Sequence, residues 1–236
     1  MWLREFANTK YVRVNKHLNP KLWDNGELDP AVAARLLKAA QAFRDFIGVE
    51  IDVIDVTVTG SNANYMWTEY SDLDLHLIIP GTPTEAEREL FTAKKALWAE
   101  QHTVTIKGLP LELYVQGYAE EHHSTGVYSV LNGEWIVKPK KVKPSIDDAA
   151  VKAKLEDVES RVRTALQSED LAACQKVKDA VTKMRKAGLE RAGEWAVENL
   201  VFKQLRNKGM IDALTVHIRD LEDQALSLEQ IQPTLD

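Results

Sequence analysis

Apolar residues recur at three- and four-residue intervals from Val32 through Leu36, Leu37, Ala40 and Phe43 to Ile47, the period of a helix with one buried stripe. Asp29 and Pro30 supply an N-cap and a first helical residue, and Gly48 a stop, so a helix is predicted between them. The period then changes to two. Ile51 to Thr59 is rich in β-branched residues and ends at Gly60, and Ser71 to Ile79 places Asp72, Asp74 and His76 on one face and Leu73, Leu75 and Leu77 on the other before Pro80 and Gly81. Both segments read as strands. Thr84 and Glu87 have capping-box spacing at the start of a helix carrying Leu90, Phe91, Leu97 and Trp98. Shorter strands are expected at Thr103 to Ile106 and Leu111 to Val115, and a hairpin at Val127 to Leu131 and Glu134 to Val137 about a two-residue Asn132-Gly133 turn. Beyond this the pattern is helical throughout, with stripes at Val151, Leu155, Val158, Val162 and Leu166; at Leu171, Val177, Val181 and Met184; at Trp195, Leu200, Val201 and Leu205; and at Ile211, Leu214, Ile218, Leu221 and Ala225. An α+β half followed by a helical bundle is the expected architecture.

A proline- and lysine-rich break, KPKKVKPSIDD at Lys138 to Asp148, separates the halves, and we expect domains at 1–145 and 146–236. The net charge of -6 hides an asymmetry: residues 1–137 carry 12 basic and 19 acidic groups, and residues 138–236 carry 18 and 17. An acidic first half argues against a protein that coats nucleic acid through bulk charge and leaves room for a cation site. The single cysteine, Cys174, excludes an internal disulfide and any all-cysteine zinc site and favours a reducing compartment, so a cytoplasmic location is expected. The first residues lack the apolar run of a secretory signal, and no window approaches eighteen consecutive apolar residues, so no membrane span is expected.

The candidate chemistry lies where the first two long strands meet. Residues i and i+2 of a strand share a face about 6–7 Å apart, so Asp72 and Asp74 are directed at one small volume. Two anions held so close are tolerable around a divalent cation, and carboxylate oxygens are the hard ligands that Mg²⁺ or Mn²⁺ takes together with water and phosphate. Glu112, a lone acid between Leu111 and Leu113, is the expected third ligand of a two-ion site. Gly60 and Ser61 form a turn in which backbone and hydroxyl can approach a triphosphate, and with Asn62 they are the candidate nucleotide-binding residues.

The strings TGS at 59–61, SDLDLHLI at 71–78 and LELYV at 111–115 together resemble the nucleotidyltransferases of the DNA polymerase beta superfamily. The resemblance implies a mixed β-sheet flanked by helices and two Mg²⁺ (or Mn²⁺) ions on Asp72, Asp74 and Glu112. It also implies an NTP substrate held at the Gly60–Ser61 turn. The longer string GSNANYMWTEYSDLDLH is similar to uncharacterised phage-encoded members. Two departures stand out: the third acid is Glu where many members have Asp, and the turn lacks the arginine of the minimal antitoxin-type members. The implied reaction moves a nucleoside monophosphate from an NTP, ATP among them, to an acceptor hydroxyl and releases pyrophosphate. The acceptor is an RNA end such as that of tRNA, a protein side chain, a small molecule or a second nucleotide. The alternative is a catalytically silent interaction or regulatory protein on the same fold. His76 is expected as a packing or hydrogen-bonding neighbour of the acids, and His122 and His123 are given no role. Lys138, Lys140, Lys141 and Lys143, and the basic cluster Lys183, Arg185, Lys186 and Arg191 around a helix junction at Gly188, read first as solvated faces. Tyr65, Trp67 and Tyr70 are candidates for base stacking or for packing under the turn, and Trp195 for the helical core.

Overall fold

The computed structural model describes residues 14–120, 124–141 and 146–227. His122, His123 and Lys143 lie outside them. The described residues fall into two compact units, one within Val12–Lys143 and one within Pro144–Asp236.

The first unit opens with a small hairpin that is not among the elements expected from the sequence, β1 (Trp23–Asp24) and β2 (Glu27–Leu28), turning at Asn25 and Gly26. Helix α1 (Pro30–Ile47) follows, where Asp29 Oδ1 accepts from Ala31 N at 2.7 Å and Gly48 takes the left-handed C-terminal conformation at φ 78°. Its stripe Val32, Leu36, Ala40, Phe43 and Ile47 is buried as the period requires. Strand β3 (Asp55–Thr59) is shorter than expected, with residues 51–54 approaching it as irregular chain. β4 spans Leu73–Ile79, so Asp72 stands just before it, and Ser71 is drawn into the preceding loop by accepting from Thr68 N at 2.9 Å. Helix α2 (Glu85–Gln101) starts at the Thr84–Glu87 capping box and buries Phe91 and Trp98. Leu97, expected on the same stripe, is about 100° round the helix from Trp98 and is exposed.

β5 (Thr105–Ile106) and β6 (Leu109–Gly117) make a tight hairpin in which Lys107 and Gly108 both have positive φ, so β6 begins two residues earlier than the hydrophobic pattern suggests. β7 (Val127–Ser129) and β8 (Glu134–Val137) pair with Ser129 opposite Glu134. Four residues therefore separate the strands, and the two-residue Asn132-Gly133 turn does not form. Val130 N donates instead to Val56 O, and Asn132 N to Ser129 Oγ, which turns the chain away before Asn132.

The other six strands form one mixed sheet in the order β5-β6-β4-β3-β7-β8, with β4 and β6 parallel and the other neighbours antiparallel. A parallel pair needs a crossover, and α2 provides it. Leu73, Leu75 and Leu77 of β4, Leu113 of β6 and Val56 and Val58 of β3 share a core cluster with the stripes of α1 and α2, where Phe43 meets Trp98 edge to face at 5.5 Å. Alternation turns Asp74, His76, Glu112, Tyr114 and Gln116 to the opposite face.

The second unit contains α3 (Asp148–Leu166), α4 (Leu171–Ala192), α5 (Val197–Asn207) and α6 (Met210–Leu226), with Asp147 and Asp170 capping the first two. Val151, Leu155, Val158, Val162, Leu200, Val201, Leu205, Leu214 and Ile218 are buried. Trp195 is not: it sits in a 3-10 turn before α5 and is only partly covered. Gly188 is not at a junction but inside α4, where an added Cβ would lie 2.6 Å from Glu198 Cβ; the glycine permits α5 to cross there. Among the described residues no helix is long and apolar enough to cross a membrane.

Candidate active site

The turn after β3 is shaped by one glycine. Gly60 has φ 71° and ψ -160°, a conformation nearly confined to glycine, and a Cβ on it would stand 1.9 Å from Asp74 Oδ2. The Asp74 carboxylate thus occupies the space a side chain would fill. The chain continues as a 3-10 turn, Ser61–Ala63, tied to the start of β4 by Asn62, whose Nδ2 donates to Asp72 O at 2.7 Å. Asn62 Oδ1 accepts from Asn19 Nδ2 at 2.7 Å, and its carbonyl accepts from Trp23 Nε1 at 2.7 Å. Asn62 is fully buried with its amide committed on both sides. Its side chain therefore braces the turn against Asp72. Ser61 remains partly accessible and its hydroxyl donates to Ser71 Oγ at 2.9 Å; Gly60 N donates to Ser124 Oγ at 3.1 Å.

Pairing brings the acids together. Asp74 lies directly opposite Glu112 on the parallel neighbour β6, and Asp72 is two residues back along the chain. One carboxylate oxygen from each of Asp72, Asp74 and Glu112 can be chosen so that all lie within 4.8 Å of one another, and all three residues are half-buried. An all-oxygen, all-anionic donor set of this size suits a hard divalent cation, and the absence of a Cβ at Gly60 leaves the Asp74 carboxylate the room it needs.

Glu112 is the most constrained of the three. Burial pushes its carboxyl up, but the Tyr114 hydrogen bond, the Lys95 charge and hydrogen bonding with Asp72 outweigh that and bring it down to about 2. Lys95 Nζ, from α2, donates to Glu112 Oε2 at 3.0 Å, and the Tyr114 hydroxyl donates to the same oxygen. Burial, with the charges of Asp74, Glu112 and Asp72, pushes the Tyr114 phenol up, so it stays a neutral donor. The Lys95 ammonium stands 3.4 Å from the Tyr114 ring centroid, a cation–π contact, and His76 stacks on that ring at 4.7 Å with its Nδ1 2.7 Å from Gln116 Oε1. His76 is thus a packing neighbour of the acids through Tyr114.

A family model described as a nucleotidyltransferase domain matches residues 37–169, more than half of the chain. The chain belongs to the nucleotidyltransferase-domain family, within the polymerase beta-like superfamily. The matched span contains the turn, all three acids and the whole of α3. A search of curated proteins returns no match.

Several residues around the three acids are not singled out by the sequence. Tyr114 carries a signal in retrospect, since it follows Glu112 by two residues and so shares its face. Lys95 carries none, because a lysine on an amphipathic helix usually faces water; only the folded position of α2 puts its ammonium on Glu112. Of the aromatic residues after the turn, Tyr65 lies under Lys141 Nζ at 5.1 Å, Trp67 Nε1 donates to His17 O at 2.9 Å, and Tyr70 is exposed. In the basic cluster Arg191 pairs with Glu198 at 2.7 Å and Arg185 lies 4.3 Å from the Phe202 ring, so both serve helix packing.

Proposed function

We propose that this chain transfers a nucleoside monophosphate from an NTP to an acceptor hydroxyl, with residues 1–145 as the catalytic domain and 146–236 as a helical domain. The observation that carries this is the convergence of Asp72, Asp74 and Glu112 within 4.8 Å beside the Gly60–Ser61 turn, in a chain of the nucleotidyltransferase family. Asp72, Asp74 and Glu112 would hold two Mg²⁺ or Mn²⁺ ions. Bound there, such ions acidify the acceptor hydroxyl and neutralise the charge that grows on the departing pyrophosphate. The residues of the chain do the positioning. Gly60 keeps a Cβ out of the space where Asp74 and the phosphates meet, the Ser61 hydroxyl is the nearest candidate to hold a phosphate oxygen, and Asn62 fixes the turn to Asp72. The acceptor oxygen forms a new bond to the α-phosphorus as the bond to the β-bridging oxygen breaks, and most of the catalysis is alignment and charge neutralisation. RNA ends, protein side chains, small molecules and nucleotides are all acceptors compatible with this chemistry. One buried cysteine, Cys174, supports a reducing, cytoplasmic setting.

Incubating the protein with each α-labelled NTP, Mg²⁺ or Mn²⁺, and a cell extract tests the reading. Label is expected to move to an acceptor with release of pyrophosphate, and Asp72→Asn or Asp74→Asn is expected to abolish it. Silence with all four NTPs and both metals would favour the catalytically inert alternative.

A further inference from the structure

Both hydrogen bonds to Glu112 from its non-acidic neighbours fall on one oxygen. Oε2 accepts from Lys95 Nζ at 3.0 Å and from the Tyr114 hydroxyl, and Oε1 takes neither donor. The two donors also hold each other, the ammonium lying 3.4 Å from the Tyr114 ring centroid, while His76 stacks on that ring and is itself anchored on Gln116. A glutamate reaches its target through three rotatable bonds and can offer one oxygen or two. Here the outer bond is fixed by two donors arriving from different elements, β6 and α2. Lys95 has a second effect. Three carboxylates within 4.8 Å repel, and an ammonium 3.0 Å from one of them offsets part of that charge.

We propose that Tyr114 and Lys95 are positioning residues that commit Glu112 to presenting Oε1 alone to a divalent cation, Tyr114 by orienting the carboxylate and Lys95 chiefly as its counter-charge. This rests on the metal reading above and adds to it how the third ligand is controlled. A longer glutamate at this position is then no looser than a shorter acid, because its distal oxygen is already engaged.

The two residues should respond with opposite sign. Mn²⁺ alone is titrated into the full-length protein, the free ion is counted by electron paramagnetic resonance, and thermal melts check that each variant is folded. Tyr114→Phe, which removes a donor without changing charge, is expected to weaken Mn²⁺ binding roughly tenfold. Lys95→Met removes a positive charge from the neighbourhood of the ion and is expected to tighten binding a few-fold, and Lys95→Arg to return it to the wild-type value. A merely structural role would weaken binding in both variants, so that result overturns the proposal. Unchanged binding in Tyr114→Phe also overturns it, while leaving the metal reading standing if Asp74→Asn abolishes binding. Failure of the wild-type protein to bind Mn²⁺, or binding undiminished in Asp74→Asn, overturns the metal reading and this proposal together.

Discussion

Gly60 does two jobs with the atoms it lacks. Its backbone occupies a region that costs an L-residue about 1–3 kcal/mol, and its missing Cβ leaves the volume that Asp74 Oδ2 enters. Gly60→Ala is therefore expected to move the Asp74 carboxylate as well as strain the turn. The variant should melt at a lower temperature and lose label transfer far more completely than its lost stability explains. Retained transfer with a lowered melting temperature would mean that Asp74 tolerates the displacement. Asn62 acts at one remove. Truncation to alanine leaves the Asn19 amide and the Asp72 carbonyl without their partner in a buried place, which costs about 1–3 kcal/mol. Because Asn62 has no exposed surface, Asn62→Ala should lower the melting temperature while leaving the metal and nucleotide dependence of any residual activity in its wild-type form.

At the scale of elements, the crossing of α4 and α5 depends on Gly188 and on the group it accommodates. Glu198 is buried on α5 and bonds Lys154 Nζ at 2.6 Å and Arg191 at 2.7 Å. Burial pushes its carboxyl up, but the hydrogen bond from Lys154, its own backbone hydrogen bond and the charge of Lys154, with Arg191, outweigh that and hold it below the usual carboxylate range. A carboxyl held low in the fold stabilises the fold above its unfolded value and loses that contribution as pH falls through the folded one. The melting temperature of the wild type should thus fall on acidification below about pH 4.5, and Glu198→Gln should be less stable at neutral pH with a shallower acid limb. An identical acid limb in both proteins would remove Glu198 from the account.

Elements whose signal is local are legible in the sequence. α1 is bounded by Asp29-Pro30 and Gly48 and α2 by its capping box, and both form where the pattern puts them. The pairing of Asp72 with Asp74 is legible from their two-residue spacing, although Asp72 stands just before β4 and is tied to the turn by Asn62. What the chain does not reveal locally depends on partners far away in sequence. The β7–β8 connection is set by Val130 bonding Val56, Trp195 is left half-covered by the 3-10 turn, and Asn62 is buried by Asn19 and Trp23. The contact of Lys95 with Glu112 is of the same kind, since it exists only once the β4–α2–β6 crossover has closed.

For the molecule as a whole, a parallel strand pair joined by α2 sets two acids from one segment against a third from another, and a glycine turn from a third segment clears the space beside them. Nothing in this arrangement requires the charge of the whole chain to attract a substrate, which suits a net charge of -6. The most direct measurement is a crystal of the full-length protein grown with a non-hydrolysable NTP and Mn²⁺, read by anomalous scattering at the manganese edge. Manganese peaks bounded by Asp72, Asp74 and Glu112 are expected, with the triphosphate running along the Gly60–Ser61 turn. Manganese and nucleotide bound together at any other place, with these three carboxylates unligated, would contradict the assignment of this site.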